Sequence, residues 1–285
     1  MVRVLRIATC RPLPEPDPDE DLLLHALGEA GIDARMAAWR DPRENWDAPI
    51  PTLVRSTWDY IHMVGAFHGW TERVERAAPL FNPGPILRDN MHKRYLLGLA
   101  ARGVPAVPTS LLPQGAGARA DAWIADSGFD DIVLKPAIGA ASFGTLRFTR
   151  SEHGVAALHA ARLCANCDVI LQPYLASVEG HGERSLVWID GEFTHAVRKA
   201  PRFDGGAESV GAAIPVAPEE RAVASRALKG LGGLLYARVD LVRDADGTPC
   251  VMELELIEPS LFLAQHPPAL ARLVAGLGRR IAGPA

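Results

Sequence analysis

Asp240, Glu253 and Glu255 stand on the two arms of a stretch, Ala237 to Leu256, that turns at Asp246-Gly247. Asp-Gly between apolar runs is a strong two-residue hairpin signal. With those two residues as the turn, Ala245 faces Thr248, and counting outward sets Asp240 opposite Glu253. Strand side chains alternate, so Glu255 shares the face of Glu253 while Met252, Leu254 and Leu256 take the other. Directly opposed like charges destabilise a strand pair, so three carboxylates on one patch require a cation. A hard divalent ion such as Mg2+, with bound phosphate, suits oxygen-only donors. The plain alternative is a half-exposed sheet face of alternating charge, and Pro249 is the point where pairing can weaken and the register slip.

Cations are spaced to meet that patch. Lys135 ends an apolar strand, where a lysine needs a partner or must snorkel. It opens the segment PAIGAASFGT, in which Gly139, Ser142 and Gly144 belong to a loop of small residues. Such a loop brings backbone N–H groups close to an anion, although a small-residue hairpin turn explains the composition as well. It is neither a Walker A loop nor a GxGxxG fingerprint. Arg198 and Lys199 end the strand THAVRKAPRF, with Arg202 close behind, and Lys93 lies in DNMHKRYLL. Basic groups facing a metal-binding acidic patch are what phosphoryl transfer uses to neutralise charge on the transferring group.

The elements that must position these groups change character along the chain. Apolar runs near 2–9, 34–39 and 52–56 alternate with helical patterns at 19–30 and 66–78, which predicts a doubly wound parallel sheet. Arg55, Ser56 and Thr57 fall at the end of its third strand, where such sheets bind ligands, and Arg55 suits a carboxylate. A helix cap with a structural arginine is the alternative. A helix is predicted over 88–102, closed by Gly103. Strands at 132–135, 145–149 and 169–172 enclose a helix over 152–163. Hairpins at 185–199, around Asp190-Gly191, and at 237–256 flank a helix over 219–231, and a helix over 268–282 ends the chain.

Composition narrows the classes. The 285 residues carry a net charge of -4 with no basic stripe, which gives no support to a nucleic-acid partner. No run approaches a membrane span, and the start lacks a secretory cleavage pattern. Four cysteines are too scattered for a disulfide framework, and the Cys164/Cys167 pair has no second pair to complete a zinc site. A reducing cytoplasmic setting is expected.

Taken in order, these residues resemble the ATP-grasp superfamily. The matches are Lys93, Lys135 in LKPAIGAASFGT, Gln172-Pro173-Tyr174-Leu175, Glu183 in GERSLVW, Arg198-Lys199, Asp240, and Glu253 with Glu255, spanning about 89–260. The resemblance implies an ATP-grasp fold, mixing α/β with α+β, preceded by an N-terminal doubly wound parallel α/β domain over 1–88. The grasp itself would cover 89–285, with a small lobe at about 113–176 and a large lobe at 177–285. It further implies that Lys93 and Lys135 meet ATP and that the loop 139–144 closes over phosphate. Gln172, Tyr174 and Leu175 form the adenine hinge, and Glu179 or Glu183 lies near the ribose. Asp240, Glu253 and Glu255 hold two Mg2+ ions, and Arg198 touches the γ-phosphate. One departure is Glu255, where most members carry Asn.

The opening TCRPLPEPDPDED, VRSTWDY, DNMHKRYL and MELELIEPSLFL are similar to the D-cycloserine synthetases, the O-ureido-serine cyclo-ligases. That similarity implies ring closure of a small amino-acid-like substrate through an acyl phosphate, with Arg55, Ser56, Thr57 and Arg202 as substrate contacts and a homodimer as the family expectation. An intermolecular carboxylate–amine ligase and a non-catalytic nucleotide-binding module are the competing classes. Both lysines and all three carboxylates are retained, which argues against the last.

Overall fold

The structure is a computed structural model that describes residues 3–140, 143–199 and 210–282. In chain order the elements are β1 (Arg3–Thr9), α1 (Glu20–Glu29), β2 (Ile32–Ala38), β3 (Thr52–Val54), α2 (Val64–Ala77), β4 (Leu80–Phe81), α3 (Gly84–Asn90) and α4 (Tyr95–Ala101). They continue with β5 (Ser110–Leu112), α5 (Ala120–Ser127), β6 (Ile132–Pro136), β7 (Leu146–Phe148), α6 (His153–Cys164) and β8 (Val169–Pro173). Last come β9 (Glu183–Ile189), β10 (Glu192–Lys199), α7 (Pro218–Leu228), β11 (Tyr236–Arg243), β12 (Pro249–Glu255) and α8 (Pro267–Ile281).

Three four-stranded sheets result. The first, in the order β2-β1-β3-β4, is wholly parallel, as the alternation of strands and helices requires. The second, β5-β8-β6-β7, is antiparallel and takes in Ser110–Leu112, upstream of the start at 113 expected for the small lobe. The third, β10-β9-β11-β12, carries both hairpins.

Burial shows which sheets pack together. Leu5, Ile7, Leu23 and Leu27 of the first unit share one core with Val187, Ile189 and Tyr236 of the third sheet, and α8 adds Leu273 and Leu277. The β5–β8 sheet has a core of its own, in which Ile124, Leu134, Phe148 and Leu171 pack together. Each fully buried side chain of this size contributes roughly 1.5–3 kcal/mol. The first and third sheets are therefore one packed body, and the second joins it through Ile170 and Ala137, which pack with Leu186 and Val239.

Two asparagines stitch that body. Asn82 donates to the carbonyls of Tyr236 (2.8 Å) and Leu256 (2.9 Å) and accepts from Leu235 N–H at 2.7 Å. Asn90 donates to Leu254 O at 2.9 Å and accepts from Leu256 N–H at 2.8 Å, completing the backbone bonds of β12.

The helix expected over 88–102 is two helices. α3 ends at Asn90 and α4 begins at Tyr95. Between them His92 Nδ1 accepts from Arg94 N–H at 3.0 Å, and its Nε2 meets Asp168 at 3.0 Å. The break frees the Lys93 N–H to donate to Ala137 O at 2.7 Å, joining this connection to the end of β6.

Candidate active site

The carboxylate hairpin has the expected central pairing, reached by a different path. Its loop is three residues, Ala245 to Gly247. Asp244 N–H donates to Thr248 O at 3.0 Å, and Gly247 takes the left-handed φ of 78° that favours glycine. The pairs nearest the turn are Arg243 with Pro249, Val242 with Cys250 and Leu241 with Val251; the register then shifts, and Asp240 pairs Glu253. Met252 is the extra residue, a β-bulge. The outer side of the bulge is pinned, because Val251 N–H donates to Pro105 O and Val251 O accepts from Val107 N–H, each at 2.9 Å. The longer loop and the bulge cancel, so Asp240 and Glu253 still meet. Met252, expected on the opposite face, instead lines the cleft and packs with Tyr174, Leu175 and Val178.

That cleft, about 550 Å³, lies between the second and third sheets and reaches the first unit. Its cations come from four places. Lys93 stands in the helix break and donates to Gly139 O at 2.8 Å. Lys135 ends β6 and meets Glu253 at 2.6 Å, with Lys93 3.8 Å from the same carboxylate. Lys199 ends β10 and bridges Glu183 and Asp240, the latter at 3.0 Å. Arg238, on β11, forks onto Asp240 with Nε and Nη2 each at 2.9 Å and also holds Glu255.

Electrostatics follow from burial and pairing. Asp240 is fully buried; burial raises its carboxyl, but Arg238 and Lys199 outweigh that and hold it well below the ordinary range. Burial likewise opposes the ionisation of Glu253, yet Lys135 and Lys93 bring it to about 2. Glu183 is pushed up to about 7 by burial, against the pull of Lys199. Burial also raises Glu255, partly offset by Arg238. Glu258 is pushed up to about 8 by burial and then by Glu255, which together outweigh the pull of Lys93 and Arg238.

The cleft wall contains Lys93, Lys135, Gly139, Gln172, Tyr174, Leu175, Glu183, Lys199, Glu253 and Glu255, with Asp240 directly beneath Lys199 and Arg238. Several expected residues lie elsewhere. Arg198 points away from the cleft, as the neighbour of a cleft-facing lysine on a strand must, and donates to the carbonyls of Gly180 (3.0 Å) and His181 (3.1 Å). Glu179 is exposed and bonded to Tyr174 Oη and Arg147. Gly144 shapes the loop rather than lining the cleft: its φ is 66°, and a Cβ there would lie 3.0 Å from Pro136.

Arg55, Ser56 and Thr57 are buried behind the cleft rather than in it. Arg55 donates to Pro259 O at 2.8 Å, and Ser56 Oγ is bonded to Thr9 Oγ1 at 3.0 Å. Ser142 and Arg202 lie outside the described residues. Sequence reasoning passed over Arg238, although the period-two rule that grouped Glu253 with Glu255 puts Arg238 on the face of Asp240. It also passed over Glu258, Trp58 and Tyr60, which sit on irregular or 3₁₀ segments where no periodicity points.

Among the described residues no three His, Cys, Asp or Glu side chains are grouped as a metal cage. The like-charge conflict read from the hairpin is relieved by the chain's own lysines and arginine. The donor chemistry nonetheless suits Mg2+: Glu253 and Glu255 keep side-chain exposures of 23% and 29%, offer oxygen only, and are held by cations that a phosphate can draw away. The Cys164 and Cys167 thiols are free and donate to the carbonyls of Pro113 and Leu163.

A cleft between two sheets, with lysines from a helix break and from both sheets around the carboxylates of one of them and a parallel α/β unit at its far end, defines an ATP-grasp ligase. The fold of D-alanine–D-alanine ligase from Bacillus anthracis, solved with ATP, superposes with a TM-score of 0.69 at 16% identity, over 98% of this chain and 97% of that one. Residues 5–82 match the family model described as the N-terminal domain of D-cycloserine synthetase DcsG. The cycloserine biosynthesis protein DcsG of Streptomyces lavendulae is 37% identical over 282 residues, 93% of this chain and 94% of that one. The crystal structure of D-cycloserine synthetase DcsG superposes with a TM-score of 0.90 at 36% identity, over 98% and 99% of the two chains. The chain belongs to the D-cycloserine synthetase family.

Proposed function

We propose that this ligase uses ATP and Mg2+ to activate the carboxylate of O-ureido-D-serine and closes the ring of D-cycloserine. The observation that carries the proposal is the set of four cations, Lys93, Lys135, Lys199 and Arg238, facing Glu253 and Glu255 in one cleft, in a chain so similar to DcsG. Residues 89–285 grip the nucleotide, and 1–88 close the substrate end. Tyr174, Leu175 and Met252 form the apolar seat for adenine, with Gln172 beside it and Glu183 toward the ribose. Lys93, Lys135 and the Gly139 backbone receive phosphates.

With a triphosphate on those lysines, Glu253 and Glu255 would be the residues to hold Mg2+, with Asp240 behind them. Mg2+, when bound, neutralises phosphate charge and orients the transferring group. Lys199 and Arg238 stabilise charge on the γ-phosphoryl group as the carboxylate oxygen attacks it and ADP leaves. The substrate's own ureido nitrogen then displaces phosphate from the acyl carbon, and water removes the carbamoyl group as CO2 and ammonia. Holding nucleophile and acyl group in one molecule supplies the proximity that a second substrate would otherwise need. Free thiols and the absence, among the described residues, of a helix long and apolar enough to cross a membrane accord with a cytoplasmic setting.

ADP release is to be measured with ATP, Mg2+ and O-ureido-D-serine, with and without an added amine, alongside chromatographic detection of product. Turnover without amine, yielding cycloserine, is expected. Turnover that requires the amine would instead make the protein an intermolecular carboxylate–amine ligase.

A further inference from the structure

The end of the cleft away from the adenine seat is lined by Pro14, Glu15, Trp58, Tyr60, Glu258 and Ser260. Glu258 follows the end of β12, three residues beyond Glu255, and its backbone is fixed from behind. Trp58 Nε1 donates to Glu258 O at 3.2 Å, and Arg55 Nη1 donates to Pro259 O at 2.8 Å. Arg55 lies 3.8 Å from Asp19, whose Oδ1 in turn accepts from Leu263 N–H at 3.0 Å. The chain on both sides of Glu258 is thus anchored while its side chain is presented to the cleft.

Every other carboxylate on the cleft-facing strands has a basic partner: Glu183 has Lys199, Glu253 has Lys135, and Glu255 has Arg238. Among the described residues Glu258 has no such ion pair. Burial, reinforced by Glu255, pushes its carboxyl up to about 8. Lys93 and Arg238 pull on this half-buried carboxylate only from a distance, so a cation brought into direct contact with it relieves the remaining penalty. The ligand that enters this end of the cleft therefore gains by carrying that cation.

We propose that Glu258 receives the ammonium group of an α-amino carboxylate and thereby sets the selectivity of the enzyme for amino acids over simple carboxylates. The proposal deepens the ligase function proposed above and rests on it for the nucleotide lying at the opposite end. The α-ammonium is one carbon from the carboxyl group to be activated. Anchoring it on Glu258 directs that carboxyl toward Arg238, which holds Glu255 a few residues away. Arg55, expected from its position to meet substrate, acts one layer behind, holding the segment that carries Glu258.

The test uses the full chain with ATP and Mg2+ and pairs of carboxylates that differ only in the α-amine, O-ureido-serine and its deamino counterpart among them. Wild type, Glu258→Gln and Glu258→Asp are compared by ADP release. The wild type is expected to prefer the amine-bearing member of whichever pair it turns over. Glu258→Gln should raise the KM for that member by roughly tenfold to a hundredfold, the range of a lost charge-assisted bond, and leave the KM for ATP and for the deamino member in place. Glu258→Asp, which keeps the charge, should recover part of the preference. An unchanged preference in Glu258→Gln, or a rise in Mg2+ requirement in place of the substrate effect, would overturn the proposal. Failure of the ring-closing function reads differently: the wild type would ignore O-ureido-serine while turning over another amino carboxylate, and the role of Glu258 would be scored on that pair.

Discussion

Arg238 is the residue on which the charge pattern turns, because among the described residues it alone touches both Asp240 and Glu255. Removing one partner of a buried ion pair leaves the other uncompensated, at a cost of about 3–5 kcal/mol. Arg238→Met is therefore expected to lower stability by about that amount, read from the urea midpoint. Arg238→Lys keeps the charge but loses the fork; it should fold, with kcat lower by about a hundredfold. Glu253→Gln is expected to abolish ATP turnover with the fold intact, and normal ADP release from that variant would remove the acidic face from the mechanism.

Protonation gives a further check. Glu258 and Glu183 hold protons up to about 8 and about 7 in the folded chain, above the ordinary carboxylate value. Between that value and the folded ones, the folded state binds more protons than the unfolded state, so stability falls as pH rises. Asp240 and Glu253 are shifted downward and lose their contribution only in acid, below the ordinary range. The Tm of the nucleotide-free, metal-free protein should decline from about pH 6.5 to about pH 8, above the range in which His195, pushed down to about 4 by burial, works in the opposite sense. Glu258→Gln should flatten that decline, and an equal slope in both would contradict the burial of Glu258.

At the scale of elements, the site depends on irregularities in otherwise regular strands and helices. The Met252 bulge turns an apolar side chain into the cleft beside Tyr174 and Leu175, and the break at 91–94 turns Lys93 toward β6. The turn of the hairpin between β9 and β10 was legible, since Asp190-Gly191 form it and both take positive φ, but the register shift between Phe193 and His195 was not. The pairing of Asp240 with Glu253 was also legible, but through two offsetting misjudgements, a longer turn and an unseen bulge. The bulge had no local signal, because its outer bonds come from Pro105 and Val107, remote in sequence. Asn82 shows the same dependence on distant backbone. Asn82→Ala strands Leu235 N–H and two carbonyls in the interior and should cost about 2–4 kcal/mol by chemical denaturation with an unchanged m-value.

At the scale of the whole molecule, the first and third sheets share a core, the second has one of its own and touches the third through Ile170 and Ala137, and Lys135 and Glu253 tie the second and third sheets across the cleft. Nucleotide that engages both sides should restrict the second sheet most. ATP with Mg2+ at a hundred times its Kd is expected to add about 2.7 kcal/mol of apparent stability. It should also slow amide exchange in β6 and β8 more than in β1; equal protection everywhere would show that the second sheet is not a separate body. The sequence by itself determined the alternation that makes the first sheet parallel, the two hairpins, and the residue types of a phosphoryl-transfer cleft, because period, turn chemistry and charge are local properties. Only the tertiary structure decided that Lys199 and not Arg198 faces the cleft, that Arg55 lies behind it, and that Arg238 and Glu258 belong to it. Those outcomes depend on which side of each segment is covered by chain tens to hundreds of residues away.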